Sequence, residues 1–171
     1  MESSKTAAII PAAGSGIRMG LPAPKQFFEL EGAPILVHTL RVFQQVEAIG
    51  IVIVVVPSEH CVWVEELVQR FQLTKVYMVT AGGKERQDSV LAGLEALPKE
   101  IDLVLVHDGV RPFVSGSIIE NCLQEAESSG AAMVAIPVKD TLKSVSSEKM
   151  IEQTIDREGI WQAQTPQAAK V

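Results

Sequence analysis

The stretch AAIIPAAGSGIRMGLPAPKQF, residues 7–27, joins a short apolar run to a loop rich in glycine, alanine and proline. A short, continuous apolar run is typical of a parallel strand that is covered on both faces. A glycine loop directly after the first strand is where open α/β sheets bind phosphates, because glycine lets backbone N–H groups come close to the ligand. The stretch therefore predicts a parallel sheet with a phosphate site at the end of its first strand.

The rest of the chain repeats this alternation. Four more apolar runs occur at 51–56, 76–79, 103–106 and 133–136, and amphipathic segments of helical length lie between the runs at 35–45, 59–71, 89–96 and 117–128. This order predicts an α/β fold with a Rossmann-like, doubly wound, mostly parallel sheet. With 171 residues, of which 47% are hydrophobic, the chain has enough apolar material for one domain.

Segment 139–159 departs from the pattern, because it is polar and charged and has few side chains that fit the same core. A solvated loop is the plainest interpretation, although long loops in compact domains are often functional. We expect this segment to leave the body of the domain.

Composition excludes several classes of protein. The formal net charge of −6 argues against a nucleic-acid-binding surface, which needs clustered Lys and Arg. The longest apolar run, 51–56, is far shorter than the roughly 20 residues that span a bilayer, and residues 1–6 lack the apolar core of a signal peptide. Cys61 and Cys122 have no metal-ligand spacing and are expected to be free thiols. These features predict a cytoplasmic protein with no nucleic-acid or membrane partner.

The glycines of the loop do not match the two best-known phosphate motifs. Gly14, Gly16 and Gly20 give G-x-G-x-x-x-G, which departs by one residue from the dinucleotide fingerprint. Pro22 and Pro24 oppose the helix that should begin there, and no G-K-[ST] follows. A dehydrogenase and a P-loop NTPase are therefore disfavoured.

Two cations in the loop indicate a different phosphate ligand. Arg18 and Lys25, together with backbone donors, could surround a triphosphate. This favours nucleotidyl transfer, in which an oxygen attacks the α-phosphorus and pyrophosphate leaves. A phosphate monoester, with a second pKa of roughly 6, can attack without a general base. The absence of a Ser or Cys triad pattern around the three histidines agrees with that chemistry.

Five further motifs match one known family in order. They are AGGKERQDSV at 81–90, VHDGVRP at 106–112, PVKDTLK at 137–143, DREGIW at 156–161 and QTPQ at 164–167. Together with PAAGSGIRMG and PKQF, they resemble the signature of the 2-C-methyl-D-erythritol 4-phosphate cytidylyltransferases. The resemblance covers the chain from Thr6 onward.

The resemblance implies an activity, a cofactor and an assembly. Members transfer CMP from CTP to methylerythritol phosphate with Mg2+, and release pyrophosphate, in the non-mevalonate route to isoprenoids. Segment 139–159 resembles the family's β-rich dimerisation arm. The implied partners are thus CTP, a sugar-alcohol phosphate and a second copy of the chain.

The resemblance also assigns roles to individual residues. Catalytic roles fall to Arg18, Lys25 and Arg157. Nucleotide contacts fall to Ala12, Ala13, Gly14, Gly16, Gly83 and Ser89. Contacts to the sugar phosphate fall to Asp108, Arg111, Thr141 and Thr165, and Asp108 is also the candidate metal ligand. Thr141 and Arg157, which belong to the arm, would reach the partner subunit's substrate.

Two alternative functions stay open. A ribitol 5-phosphate cytidylyltransferase shares the loop, the D-x-V-R-P motif and T-P-Q, although DREGIW favours the methylerythritol enzyme. A non-catalytic nucleotide-binding module is the other alternative.

The family resemblance places a further strand, a closing helix and a lysine beyond T-P-Q, whereas the sequence ends at Val171. We therefore expect a single nucleotidyltransferase domain over 1–171 without them. This chain would bind CTP better than it turns it over.

Overall fold

A computed structural model describes residues 5–14 and 24–171. In this part of the chain, six strands form the main sheet. They are β1 (Thr6–Pro11), β4 (Ile51–Val56), β5 (Val76–Ala81), β6 (Leu103–Val106), β7 (Ala131–Pro137) and β10 (Trp161–Lys170). Their order across the sheet is β5-β4-β1-β6-β10-β7. The short strands β2 (Glu29–Leu30) and β3 (Ala33–Pro34) pair separately, as do β8 (Leu142–Val145) and β9 (Ile151–Ile155).

Four α-helices connect the strands in the predicted alternation. They are α1 (Ile35–Gln45), α2 (Cys61–Arg70), α3 (Arg86–Glu95) and α4 (Gly116–Ser129). The pairs β1–β4, β1–β6 and β4–β5 are parallel, so the predicted mostly parallel α/β sheet is confirmed. None of the helices in the described ranges is long and apolar enough to cross a membrane.

The core lies on both faces of the sheet. Ala8 and Ile10 point to the larger cluster, which includes apolar residues of α1, α2 and α4. Ile9 points to the opposite face with Ile53 and Val55, against the end of α3 and the residues that follow it. Because successive side chains of a strand alternate between faces, a sheet covered on both sides requires continuous apolar strands. This explains the unbroken apolar runs in the sequence.

Strand β10 is the strand of the main sheet that sequence analysis did not predict. It lies between β6 and β7 and is antiparallel to both. Its sequence, WQAQTPQAAK, shows neither an apolar run nor a clean alternation. The pairing with β7 is irregular between Ala163 and Gln167, where the Q-T-P residues occur. This irregularity falls beside the candidate site.

Segment 139–159 contains the antiparallel pair β8–β9, which forms a sheet of its own. We call the whole segment 139–159 the arm. All five residues of β9 are exposed. The arm also exposes apolar side chains, at Val145, Met150 and Ile151. Its β-rich character agrees with the resemblance, whereas its role in assembly stays a prediction.

Cys61 and Cys122 are free thiols, as expected from their spacing. Cys61 is half-buried and Cys122 is buried. Burial raises the pKa of both thiols above the usual value, so both are protonated at neutral pH. They have the character of ordinary structural cysteines.

Candidate active site

The candidate site lies where the parallel strands end. The register pairs Pro11 of β1 with Val55 of β4, and Ile9 with Val106 of β6. The chain segments that follow β1, β5 and β6 therefore meet at one edge of the sheet. This is the edge at which open α/β folds bind their ligands.

The start of the glycine loop is fixed to the sheet. The amide of Ala12 donates to the carbonyl of Val55 at 2.7 Å, so this N–H is not left for a ligand. Among the described residues, the amides of Ala13 and Gly14 form no hydrogen bond.

The cations predicted in the loop are only partly covered by the structure. Gly16 and Arg18 lie outside the described residues. Lys25 begins the 3-10 turn Lys25–Phe27 and is half-buried. In the described part of the chain it forms no ion pair.

The predicted nucleotide-binding residues after β5 pack tightly against the loop. Ser89 is buried, and its hydroxyl donates to the carbonyl of Glu85 at 3.3 Å. A Cβ at Gly82 would lie 2.6 Å from Ser89 Oγ and 2.7 Å from the Cβ of Ala13. A Cβ at Gly83 would lie 2.2 Å from the Cβ of Asp88. Both positions therefore require glycine, which brings backbone into the space where a base could be read.

Helix α3 begins directly behind these glycines. Its first turn has a capping box, in which Glu85 and Asp88 each accept a hydrogen bond from the other's backbone N–H. The N-terminus of the helix, with its partial positive charge, therefore faces the segment 82–85.

Asp108 is held between two arginines. Its Oδ1 accepts from Nε of Arg86 at 3.2 Å, and its Oδ2 accepts from Nε of Arg111 at 3.1 Å. All three side chains are partly exposed. The arrangement places two guanidinium groups at the edge of the sheet, and it suits an anionic substrate.

The loop that carries Asp108 is fixed by buried polar groups. The amide of Gly109 donates to the carbonyl of Pro11, and its own carbonyl accepts from the hydroxyl of Thr39, which is fully buried, at 2.9 Å. His107 is buried too, and its Nε2 donates to the carbonyl of Arg111 at 3.1 Å. Burial lowers the pKa of His107, so the ring is neutral and donates through Nε2.

Strand β10 completes the site from the other side. Nη1 of Arg111 donates to Oε1 of Gln164 at 2.6 Å, and the hydroxyl of Thr165 accepts from the amide of Asp108 at 3.4 Å. A cavity of about 370 Å³ opens beside Arg111 and Thr165, with Phe113 and Val134 in its lining. The predicted substrate residues Asp108, Arg111 and Thr165 are therefore brought together.

The two predicted residues of the arm have other surroundings in the hydrogen-bond network of the described residues. Arg157 donates through Nη1 to the carbonyl of Lys139, within the arm. Thr141 is exposed. Within the described part of the chain, neither side chain hydrogen-bonds to Asp108 or Arg111.

The described residues do not by themselves form a metal site. They contain no group of three or more His, Cys, Asp or Glu side chains that could hold an ion. Both carboxylate oxygens of Asp108 already accept from guanidinium groups. The assignment of Asp108 to Mg2+ stays a prediction, and a bound Mg2+ would need phosphate oxygens of the nucleotide as ligands.

The order of these motifs around one sheet edge matches a known family. The family model for IspD, 2-C-methyl-D-erythritol 4-phosphate cytidylyltransferase, matches residues 6–171. The chain belongs to this family. The matched region includes the glycine loop, the two arginines that contact Asp108, Arg86 and Arg111, and the arm.

Individual relatives support the assignment. The chain is 52% identical over 164 residues to a bifunctional IspD/IspF enzyme of Desulfotalea psychrophila, covering 96% of this chain and 42% of that protein. It is 47% identical over 165 residues to a 2-C-methyl-D-erythritol 4-phosphate cytidylyltransferase of Syntrophus aciditrophicus, covering 96% and 70%. A solved 4-diphosphocytidyl-2C-methyl-D-erythritol synthase of Anaerococcus prevotii has a TM-score of 0.80 and 31% identity, covering 96% and 69%. The chain thus spans less than half of the first relative and about 70% of the second.

Several residues of the candidate site were missed by sequence reasoning. They are Gln26, Thr39, Gly82, Arg86 and Gln164. The doublet Gly82-Gly83 is a visible signal for close backbone packing, and Arg86 belongs to a quoted motif. Gln26 of PKQF and Gln164 of QTPQ also belong to quoted motifs, but their burial or contacts depend on distant segments. Thr39 belongs to none of these motifs, and no local signal could single it out.

Proposed function

We propose that this chain transfers CMP from CTP to 2-C-methyl-D-erythritol 4-phosphate and releases pyrophosphate. The observation that carries the proposal is the convergence of Arg86 and Arg111 on Asp108, beside the segment of Gly82 and Ser89. A cationic cluster next to a tightly packed glycine turn offers one place for a sugar phosphate and another for a nucleotide. The membership of the chain in the family supports this division.

The chemistry fits the side chains. An oxygen of the sugar phosphate forms a bond to the α-phosphorus of CTP, and the bond from that phosphorus to pyrophosphate breaks. The attacking phosphate is ionised at neutral pH, so no general base is needed. Lys25 stabilises charge on the triphosphate as it develops, and Arg111 orients the attacking phosphate. Ser89 and the backbone of Gly83 bind the cytosine edge.

We also propose that Mg2+ accompanies CTP in the reaction. When bound, the ion supplies positive charge to the triphosphate. The residues of the chain orient the nucleotide and the acceptor. We place the reaction in the cytoplasm, where CTP is available.

A homodimer is the assembly that we propose, formed through the arm. The exposed apolar side chains Val145, Met150 and Ile151 are unusual for a hairpin in water and suit burial against a second copy. Among the described residues, neither Thr141 nor Arg157 forms a hydrogen bond with Asp108, and in the proposed dimer both would serve the partner's site. Size-exclusion chromatography with light scattering should show a dimer, and removal of 139–159 should give a monomer.

The function is tested by turnover. Release of pyrophosphate is followed with CTP and either 2-C-methyl-D-erythritol 4-phosphate or ribitol 5-phosphate as acceptor. We expect turnover with the first and at least about a hundredfold lower kcat/KM with the second. Preference for ribitol 5-phosphate would replace the proposed acceptor, and binding of CTP without turnover of either acceptor would favour a non-catalytic module.

A further inference from the structure

Gln26 is a buried polar residue in the 3-10 turn Lys25–Phe27, at the end of the glycine loop. Its side chain is 2% exposed. Its Nε2 donates to the carbonyl of Ala12 at 2.6 Å and to the carbonyl of Gly14 at 3.0 Å. Both partners are acceptors, so only the amide nitrogen can face them. One side chain therefore ties the 3-10 turn Lys25–Phe27 to the chain that leaves β1.

This tie is rigid on the side of the sheet. The amide of Ala12 donates to the carbonyl of Val55, a residue that is fully buried in β4. A buried amide that lost its acceptors would remain desolvated without compensation, which makes the hydrogen-bonded arrangement strongly preferred. Gln26 thus transmits the position of the central sheet to the turn.

The other side of the turn is held by aromatic packing. The ring of Phe27 lies edge-on to His60 at 4.7 Å and to Trp63 at 5.0 Å between ring centroids. Trp63 belongs to the start of α2, and His60 belongs to the turn before this helix. Lys25 is therefore followed by two anchored residues. Gln26 is held by the chain that leaves β1, and Phe27 is held by the rings of His60 and Trp63.

We propose that Gln26 is a positioning residue, which acts through Lys25. The inference rests on the proposed function, in which Lys25 stabilises charge on the nucleotide. A displacement of about 1 Å at a charge-stabilising group can cost on the order of a hundredfold in rate. Lys25 has a long side chain and lies in a three-residue turn that is not part of the main sheet. The turn therefore needs a fixed point outside itself to hold the position of Lys25. The side chain of Gln26 provides that fixed point.

The test compares Gln26→Met with a matched amide elsewhere. Methionine keeps the length of the side chain and removes both N–H donors. Gln44→Met is the control, because Gln44 also makes two hydrogen bonds, to Thr74 Oγ1 at 2.7 Å and from the amide of Lys75 at 3.0 Å, at the far end of α1. We expect Gln26→Met to lower kcat by about tenfold to a hundredfold with KM for the sugar phosphate within about threefold. Gln44→Met should keep kcat within about twofold.

A double-variant cycle separates positioning from general damage. In the Lys25→Ala background, Gln26→Met should lower kcat by less than about threefold, because the group that it positions is gone. Losses that multiply in full would overturn the role through Lys25. If Gln26→Met does not fold, Gln26→Asn keeps the amide on a shorter chain and is expected to show an intermediate loss of kcat, and unchanged kcat there would also count against the proposal.

Amide hydrogen exchange provides a readout that does not require turnover. The amides of Phe27 and Phe28 donate to the carbonyls of Pro24 and Lys25, so their exchange reports the stability of the turn. Gln26→Met should speed exchange at these two amides at least about tenfold, whereas Gln44→Met should not. If Gln26→Met exchanges faster at these amides but the wild-type chain shows no turnover, the proposed function is refuted and the anchoring of the turn by Gln26 is not. Unchanged exchange together with unchanged kcat in Gln26→Met would refute the role of Gln26.

Discussion

Replacing Gly82 by alanine inserts one methyl group at a tightly packed point of the candidate nucleotide site. The new Cβ would lie 2.6 Å from Ser89 Oγ, 2.7 Å from the Cβ of Ala13 and 3.1 Å from Cγ1 of Val55. The first two distances are well inside van der Waals contact, and Ala13 has no rotamer by which it could move away. The backbone of the glycine loop or of α3 must therefore shift.

The magnitude follows from two opposing terms. An extra methyl group in a packed site costs about 1–3 kcal/mol, and the loss of glycine's freedom in the unfolded chain returns about 0.4–1 kcal/mol. We expect a net loss of about 1–2 kcal/mol in the free energy of unfolding, or about 2–8 °C in Tm for a domain of this size. Because Ala13 and Ser89 both move, KM for CTP should rise about tenfold.

Differential scanning calorimetry and initial-rate kinetics measure the two effects. Gly116→Ala is the matched control, since its Cβ would meet only Cγ2 of Val46, at 3.6 Å, and its stability should rise by about 0.4–1 kcal/mol from the unfolded-state term alone. Adding Ser89→Ala to Gly82→Ala removes one of the two closest contacts, and it should restore part of the lost Tm. Wild-type Tm together with wild-type KM for CTP in Gly82→Ala would show that this close packing does not exist.

Three further predictions concern charge. Burial lowers the pKa of His107, so the unfolded chain binds the proton more readily, and stability should fall as pH drops below about 6.5, by at most about 1.4 kcal/mol per pH unit. Chemical denaturation from pH 7 to 5 should show a shallower decline for His107→Asn than for the wild type or the half-buried control His38→Asn. Asp108→Asn should raise KM for the sugar phosphate about tenfold, because both arginines lose their orienting partner, while stability changes by less than about 1 kcal/mol at these partly exposed ion pairs; an unchanged KM in steady-state assays would contradict the orienting role. Lys25→Ala should lower the rate of the chemical step by the equivalent of about 3 kcal/mol and leave CTP binding nearly unchanged. The surface control Lys99→Ala should affect neither quantity. Single-turnover kinetics measure the rate of the chemical step, and calorimetric titration with CTP measures binding.

The amino-acid sequence determined the parallel strands and the place of the candidate nucleotide site. The runs at 51–56 and 103–106 are apolar without interruption, and only a strand covered on both faces needs that pattern. The glycine loop follows the first strand directly, so its position at the ligand edge of the sheet was assigned by chain order. Information of this kind is local, because it depends on residues close together in the chain.

The tertiary structure alone decided where β10 lies and what it contacts. Its mixed composition suits several positions, and its place between β6 and β7 follows from hydrogen bonds to two strands that are distant in sequence. The same holds for Asp108, whose carboxylate meets Arg86 across 22 positions of sequence, and for Gln26, whose burial depends on the chain leaving β1. A polar side chain carries no local pattern that distinguishes a solvated position from a buried, hydrogen-bonded one. Only the packing of remote segments removes the water, and with it the alternative partners, and so makes these side chains part of the site.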